Sequence, residues 1–201
     1  MIKELVFDIG DIIYDIPLKY KKISPFMIML GIEPLLFKIT SAMTRFGFYK
    51  KEYTEADIEK LRRKMKPREG VIETLKKLKQ KRIKIIFLTD TIQSPAKVNS
   101  RLKALGVLDY ADKVICSSEI GTYKPHKEAY DVAVRAIGVK RLEAIFVGHA
   151  KDELEGAHKA GLKTIGYNLD NGAKADYYAE NFSDILSIVG ELNAKRRHNR
   201  P

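Results

Sequence analysis

Apolar positions in this chain come in short runs separated by stretches of helical period. Residues 2–8 alternate and then run apolar into Asp8, the pattern of a buried strand ending on a carboxylate. Ile12 and Ile13 continue apolar past a turn at Gly10 and Asp11. From residue 68 the pattern becomes regular. A helix over 69–81 leads into a strand over 83–88, a helix over 96–105 into a strand over 113–116, and a helix over 127–137 into a strand over 144–147. A fourth helix over 153–160 leads into a strand over 163–167, and a last helix covers 182–194. Short apolar strands alternating with amphipathic helices predict an α/β fold: a Rossmann-like parallel sheet, wound by right-handed crossovers, with helices on both faces.

Residues 16–66 have another character. Pro17, Pro25 and Pro34, with Pro67 at the far edge, punctuate a stretch rich in aromatics and in helical periods such as Met27, Leu30 and Met43. The pattern predicts a small helical cap domain over 16–66, inserted into a core made of 1–15 and 67–201. Tyr14, Tyr20, Phe26, Phe46 and Phe48 are candidates to line a pocket there, although aromatics at helical spacing more often pack inside a helical core. The basic residues from Lys195 to Pro201 read as a disordered tail.

Composition narrows the function classes. With 45% hydrophobic and 31% charged residues over 201 positions, the chain can bury a core. A single cysteine, Cys116, excludes a disulfide framework and a cysteine-rich zinc site. No stretch offers the roughly 20 apolar residues of a membrane span, and the first residues lack a secretory pattern, so the expectation is a soluble, cytoplasmic protein. The 37 Lys and Arg against 26 Asp and Glu, net +11, favour acidic partners such as phosphorylated metabolites. That charge is spread over separate helix faces and never interleaves with aromatics, so nucleic acid is not the expected partner.

Ligands of parallel sheets bind at the carboxyl ends of the strands, so the polar residues there carry the chemistry. After the first strand comes Asp8, and after the second Thr89 and Asp90. The third is followed by Ser117, Ser118 and, further on, Lys124, and the fourth by Gly148, His149, Asp152, Glu153 and Glu155. Each alone has an ordinary explanation, as a cap, a turn or a surface residue. Together they assemble what phosphoryl transfer needs: a carboxylate to attack phosphorus, a hydroxyl and a lysine to hold anionic oxygens, and acids to hold a cation.

In these segments the sequence resembles the haloacid dehalogenase-like (HAD) hydrolase superfamily. The segments are Leu5 to Gly10, Ile85 to Asp90, Ser117 to Pro125 and Ile145 to Gly161, in the family's order across about 160 residues. The resemblance implies a Rossmann-like core with a small cap over the site. Asp8 matches the nucleophile and a metal ligand, and Gly10 the position whose carbonyl binds Mg²⁺. Thr89 matches the hydroxyl on the transferring phosphoryl group, with Asp90 beside it among the substrate-binding positions. Lys124 matches the lysine that stabilises nucleophile and transition state, and the Asp152 region the acidic metal-binding motif. The expected activity is a metal-dependent phosphatase of small phosphorylated metabolites, working through an aspartyl-phosphate on Asp8, as a monomer or homodimer.

Two positions depart from the family pattern. Gly10 stands where many of its phosphatases carry an aspartate as general acid, which favours substrates with good leaving groups such as acyl or aryl phosphates. His149 stands where an aspartate ligates Mg²⁺, a hard cation that prefers oxygen. Asp152, Glu153 and Glu155 each offer a replacement carboxylate; Glu153 keeps the usual spacing, Asp152 the usual residue type, and Asp152 is preferred by a narrow margin. The imidazole either favours a softer metal such as Mn²⁺, Co²⁺ or Ni²⁺ or marks a site without metal. Two other readings stay open: a HAD-fold binding module with a decayed site, and a 2-haloacid dehalogenase, whose halide leaves without a proton.

Overall fold

In the computed structural model, residues 1–15, 65–91 and 93–198 are described. The cap expected over 16–66 therefore lies outside the described residues, apart from 65 and 66. Six strands form one parallel sheet in the order β3-β2-β1-β4-β5-β6. They are β1 (Glu4–Phe7), β2 (Lys84–Thr89), β3 (Lys113–Cys116), β4 (Ala144–Gly148), β5 (Lys163–Tyr167) and β6 (Tyr177–Ala179). The helices are α1 (Val71–Gln80), α2 (Pro95–Ala104), α3 (Ser117–Ile120), α4 (Lys127–Ile137), α5 (Lys151–Lys159) and α6 (Asp184–His198). The Rossmann-like α/β architecture is as the alternation of strands and helices predicts.

Alternating side chains of β1 sort the core into two layers. Leu5 and Phe7 face one side with Leu75 and Leu78 of α1, Val98 and Leu102 of α2, and Ile185 and Val189 of α6. Val6 faces the other side with Ile86, Leu88 and Phe146, covered by Tyr130 and Ala133 of α4 and Leu154 and Ala157 of α5. Strands buried on both faces read as continuous apolar runs, which is why the pattern located them so closely.

Four differences from expectation have physical reasons. Strand β6 is only three residues, and its Tyr-Tyr-Ala lacks the aliphatic run that marks the others. Helix α5 begins at Lys151, with Asp152 and Glu153 in its first turn, where carboxylates complement the positive end of the helix. Helix α6 runs to His198, so residues 195–198 continue a helix rather than a disordered tail; Ala194 to Arg197 are strong helix formers. Tyr14 belongs to the core of the main domain: it is 6% exposed, and its hydroxyl accepts a hydrogen bond from Arg101 at 3.1 Å.

One buried acid lies away from the functional edge. Glu4, on β1, has no exposed surface, and neither carboxylate oxygen has a hydrogen-bond partner among the described residues. Burial, with repulsion from Asp112, pushes its carboxyl up to about 8. Between the ordinary glutamate value and pH 8 the folded chain holds a proton that the unfolded chain releases, so stability falls as pH rises through that window. We expect Glu4→Gln to flatten this slope. Its melting temperature relative to the parent should rise by roughly 4 °C or more between pH 5 and pH 8.5 in thermal unfolding. Parallel pH profiles for the two proteins would refute the assignment.

Candidate active site

The sheet order reverses direction between β1 and β4, the point where open α/β sheets leave a crevice at their carboxyl ends. Asp8 follows β1, and its N–H donates to Val147 C=O on β4 at 2.9 Å, which fixes the residue at this switch point. The side chain is 9% exposed. Gly10 and Asp11 form the turn that follows, Asp11 at φ 53°, with Gly10 bridged to the backbone of Tyr14.

Lys124 is the centre of charge. Its side chain is wholly buried, and its Nζ donates to Asp8 Oδ1, lies 3.1 Å from Glu153 Oε2 and 3.9 Å from Asp90 Oδ2. Burial alone would lower the lysine pKa. The carboxylates of Asp8, Glu153 and Asp90 together outweigh it and hold the ammonium well above its ordinary value. Conversely, burial and mutual repulsion push the Asp90 and Glu153 carboxyls up, against the pull of Lys124. Three carboxylates share one ammonium, so the pocket carries an excess of acid.

Local packing explains why Glu153 reaches this cluster. Gly156, one turn on in α5, lies directly on the loop after Lys124: a Cβ there would come within 2.5 Å of the Pro125 carbonyl oxygen. No other residue lets the helix approach so closely. Tyr130 of α4 reinforces the contact by donating its hydroxyl to the Glu153 C=O at 2.7 Å. Asp90 adds a second tie, accepting the Lys124 N–H at 3.2 Å.

The structure thus brings together Asp8, Asp90, Lys124 and Glu153, with Thr89 half-buried at the end of β2. Asp152 sits differently. It is exposed, and its Oδ1 accepts the N–H of Glu153 at 2.9 Å in the first turn of α5. Ser117 and Ser118 are not part of the cluster: Ser117 Oγ bonds the Thr91 backbone, and Ser118 Oγ donates to Gln93 C=O. His149 follows β4 with Nε2 3.8 Å from Asp8 Oδ2 and Nδ1 3.1 Å from Asp170 Oδ1. Asp170 escaped the sequence reading, although it lies three residues past β5, where the rule applied to the other strand ends would have found it.

Chemically, one oxygen of Asp8 is held by an ammonium while the other faces the β4 loop. Such a carboxylate can act as a nucleophile, and the adjacent ammonium can stabilise negative charge on an attacked group. Among the described residues no three His, Cys, Asp or Glu side chains are arranged so that they alone could hold a metal ion. A cation here would rest on few protein ligands, completed by water and substrate oxygens, which is the usual manner of Mg²⁺ in phosphoryl-transfer sites.

A family model described as haloacid dehalogenase-like hydrolase matches residues 23–167, and the chain belongs to that family. It is therefore a HAD hydrolase. Among curated relatives, it is 31% identical over 133 residues to pyrophosphatase PpaX of Halalkalibacterium halodurans, covering 63% of this chain and 61% of that protein. Glyceraldehyde 3-phosphate phosphatase of Methanopyrus kandleri is 32% identical over 122 residues, covering 60% of this chain and 51% of that one. Phosphoglycolate phosphatase of Pectobacterium atrosepticum is 24% identical over 171 residues, covering 82% and 69%. The chain thus spans between about half and two thirds of these relatives' lengths. In fold it is similar to L-2-haloacid dehalogenase from Xanthobacter autotrophicus, with TM-score 0.70, 17% identity and coverage of 95% and 99%. A HAD phosphatase from Thermococcus onnurineus gives TM-score 0.68 at 22% identity, covering 94% and 98%. No helix among the described residues is long and apolar enough to cross a membrane.

Proposed function

We propose that this HAD hydrolase is a phosphatase of small phosphorylated substrates that works through an aspartyl-phosphate on Asp8. The observation that carries the reading is the Asp8 carboxylate at the switch point, with Lys124 on Oδ1 and Oδ2 left to react. Relatives named as phosphatases support phosphorus rather than carbon as the atom attacked.

In this reading Asp8 Oδ2 forms a bond to phosphorus as the bond to the leaving oxygen breaks. Lys124 and the Thr89 hydroxyl hold the phosphoryl oxygens, and Asp90 keeps Lys124 in place through its backbone N–H. Water then breaks the acyl-phosphate bond, releasing inorganic phosphate and restoring Asp8. Gly10 offers no proton to the leaving oxygen, so aryl and acyl phosphates are the preferred class.

The acid excess at Lys124 fits a divalent cation, which the Asp8 oxygen that does not attack phosphorus and the Gly10 carbonyl would hold with a third protein ligand from the β4 loop. When bound, such an ion neutralises the repulsion between a phosphate dianion and this acidic pocket.

The test is an acid-quenched reaction of the protein with p-nitrophenyl phosphate across Mg²⁺, Mn²⁺, Co²⁺, Ni²⁺ and EDTA. The peptide carrying Asp8 should show a phosphoryl mass increment during turnover. Turnover without any adduct on that peptide would sink the mechanism. Silence towards phosphates with halide release from 2-chloropropionate would move the chemistry to carbon.

A further inference from the structure

The turn after Asp8 has a conformation that its own residues do not favour. Asp11 sits in the left-handed region, at φ 53°, and is 4% exposed. Aspartate tolerates that region better than most residues, yet a side chain with a Cβ persists there only where its surroundings hold it. Two side chains supply the hold. The Asp11 C=O accepts from Arg68 Nη1 at 3.3 Å and from Asn168 Nδ2 at 3.1 Å, donors 57 and 157 positions away in the chain. Asn168 is itself left-handed, at φ 52°, directly after β5. Arg68 adds further ties. Its backbone N–H donates to the Ile13 C=O at 2.9 Å, its Nε to the Tyr167 hydroxyl at 3.2 Å, and its Nη1 pairs with Asp15. Its guanidinium carbon also lies 5.3 Å over the Tyr167 ring.

We propose that Arg68 and Asn168 are positioning residues for Asp8, acting through the one carbonyl they share to hold the turn that follows it. The inference rests on Asp8 being the reacting group, as in the function proposed above. Asp8 is fixed on one side by its N–H, which donates to the Val147 C=O on β4. On the other side the Ile13 N–H closes the turn back onto the Ile9 C=O at 2.9 Å. The two donors anchor that closed turn to the end of β5, two places from β1 in the sheet. The carboxylate is therefore set from both ends before substrate arrives. A planar guanidinium with five donors serves Asp11, Asp15 and Tyr167 at once, which a single ammonium does not. Among the described residues neither side chain bonds the Asp8 carboxylate, so their effect falls on its placement and hence on turnover rather than on substrate affinity.

The test pairs hydrogen exchange with steady-state kinetics on the full chain, for the parent, Arg68→Met, Asn168→Ala and Lys163→Met. Lys163 serves as the control: it donates to the Tyr177 hydroxyl at 2.7 Å and lies 5.1 Å over that ring, away from the turn. In Arg68→Met the peptide spanning residues 9–15 should exchange at least about tenfold faster, with α4 unchanged. Turnover of saturating p-nitrophenyl phosphate should fall at least about tenfold while KM stays within about threefold. Asn168→Ala, which leaves the other ties of Arg68 in place, should move both readouts the same way and decides the matter if Arg68→Met does not fold. Lys163→Met should move neither. Exchange over 9–15 that ignores both Arg68→Met and Asn168→Ala overturns the proposal. So does an effect on KM alone, or parental turnover in a variant whose turn exchanges freely. Release of the turn in these variants, with no phosphoryl adduct on Asp8 in the parent, would sustain the hold on Asp8 and remove the phosphatase reading instead.

Discussion

Asp8→Asn is expected to lower turnover of p-nitrophenyl phosphate by at least about 10³-fold while leaving the melting temperature within a few degrees of the parent. The amide is isosteric with the carboxylate but cannot attack phosphorus, so chemistry at Oδ2 stops. Folding tolerates the change because the Lys124 ammonium keeps Glu153 at 3.1 Å and Asp90 at 3.9 Å. The excess of acid in the pocket falls by one charge. Steady-state assays with a circular dichroism melt decide it. A variant that keeps more than a tenth of parental turnover rules out Asp8 as nucleophile, and one that unfolds shows that Asp8 is chiefly structural.

Lys124→Met should have the largest effect on stability of any single change at the site. The side chain is fully buried and faces three carboxylates. Methionine fills much the same volume and leaves those acids without a counter-charge. Removing one partner of a buried ion pair costs about 3–5 kcal/mol. For a chain of this size that is a fall in melting temperature on the order of 10 °C. Turnover should vanish as well. Adding Glu153→Gln to Lys124→Met should recover part of the lost stability, because one of the three buried acids that relied on the ammonium is removed. Two penalties that simply add would show that Lys124 and Glu153 do not act as one unit.

How far the sequence reveals this molecule depends on what kind of force places each residue. The strands were legible because burial on both faces leaves an unbroken apolar run, as in Ile85 to Leu88. Asp8, Thr89 and Asp90 were legible as candidates because strand ends are legible, and Lys124 because a family resemblance supplied its partner. That Glu153 rather than Asp152 meets Lys124 is a matter of helical phase. That phase is set by Gly156 against Pro125, a contact between residues 31 positions apart that no local pattern encodes. The pairing of His149 with Asp170 has the same origin, since it follows from β5 lying beside β4. Serines 117 and 118 looked chemical and prove to be fasteners, because a hydroxyl beside free backbone groups bonds to them first.

The position of β1 in the sheet also bears on how the protein is made. It comes first of the six strands along the chain, yet its two neighbours are Lys84–Thr89 and Ala144–Gly148. The Asp8 N–H finds its acceptor only at Val147, and Ile2 is bonded on both backbone groups by Asn193. The edge that carries Asp8 therefore cannot be complete in a nascent chain until Ala144–Gly148 has been made. Strand β1 can pair with β2 once Lys84–Thr89 is made, but its other edge waits, strongly apolar, for β4. Contacts of such long sequence separation slow folding and leave a sticky segment exposed meanwhile. A chain cut short before β4 would carry Asp8 without the Val147 carbonyl that holds its backbone.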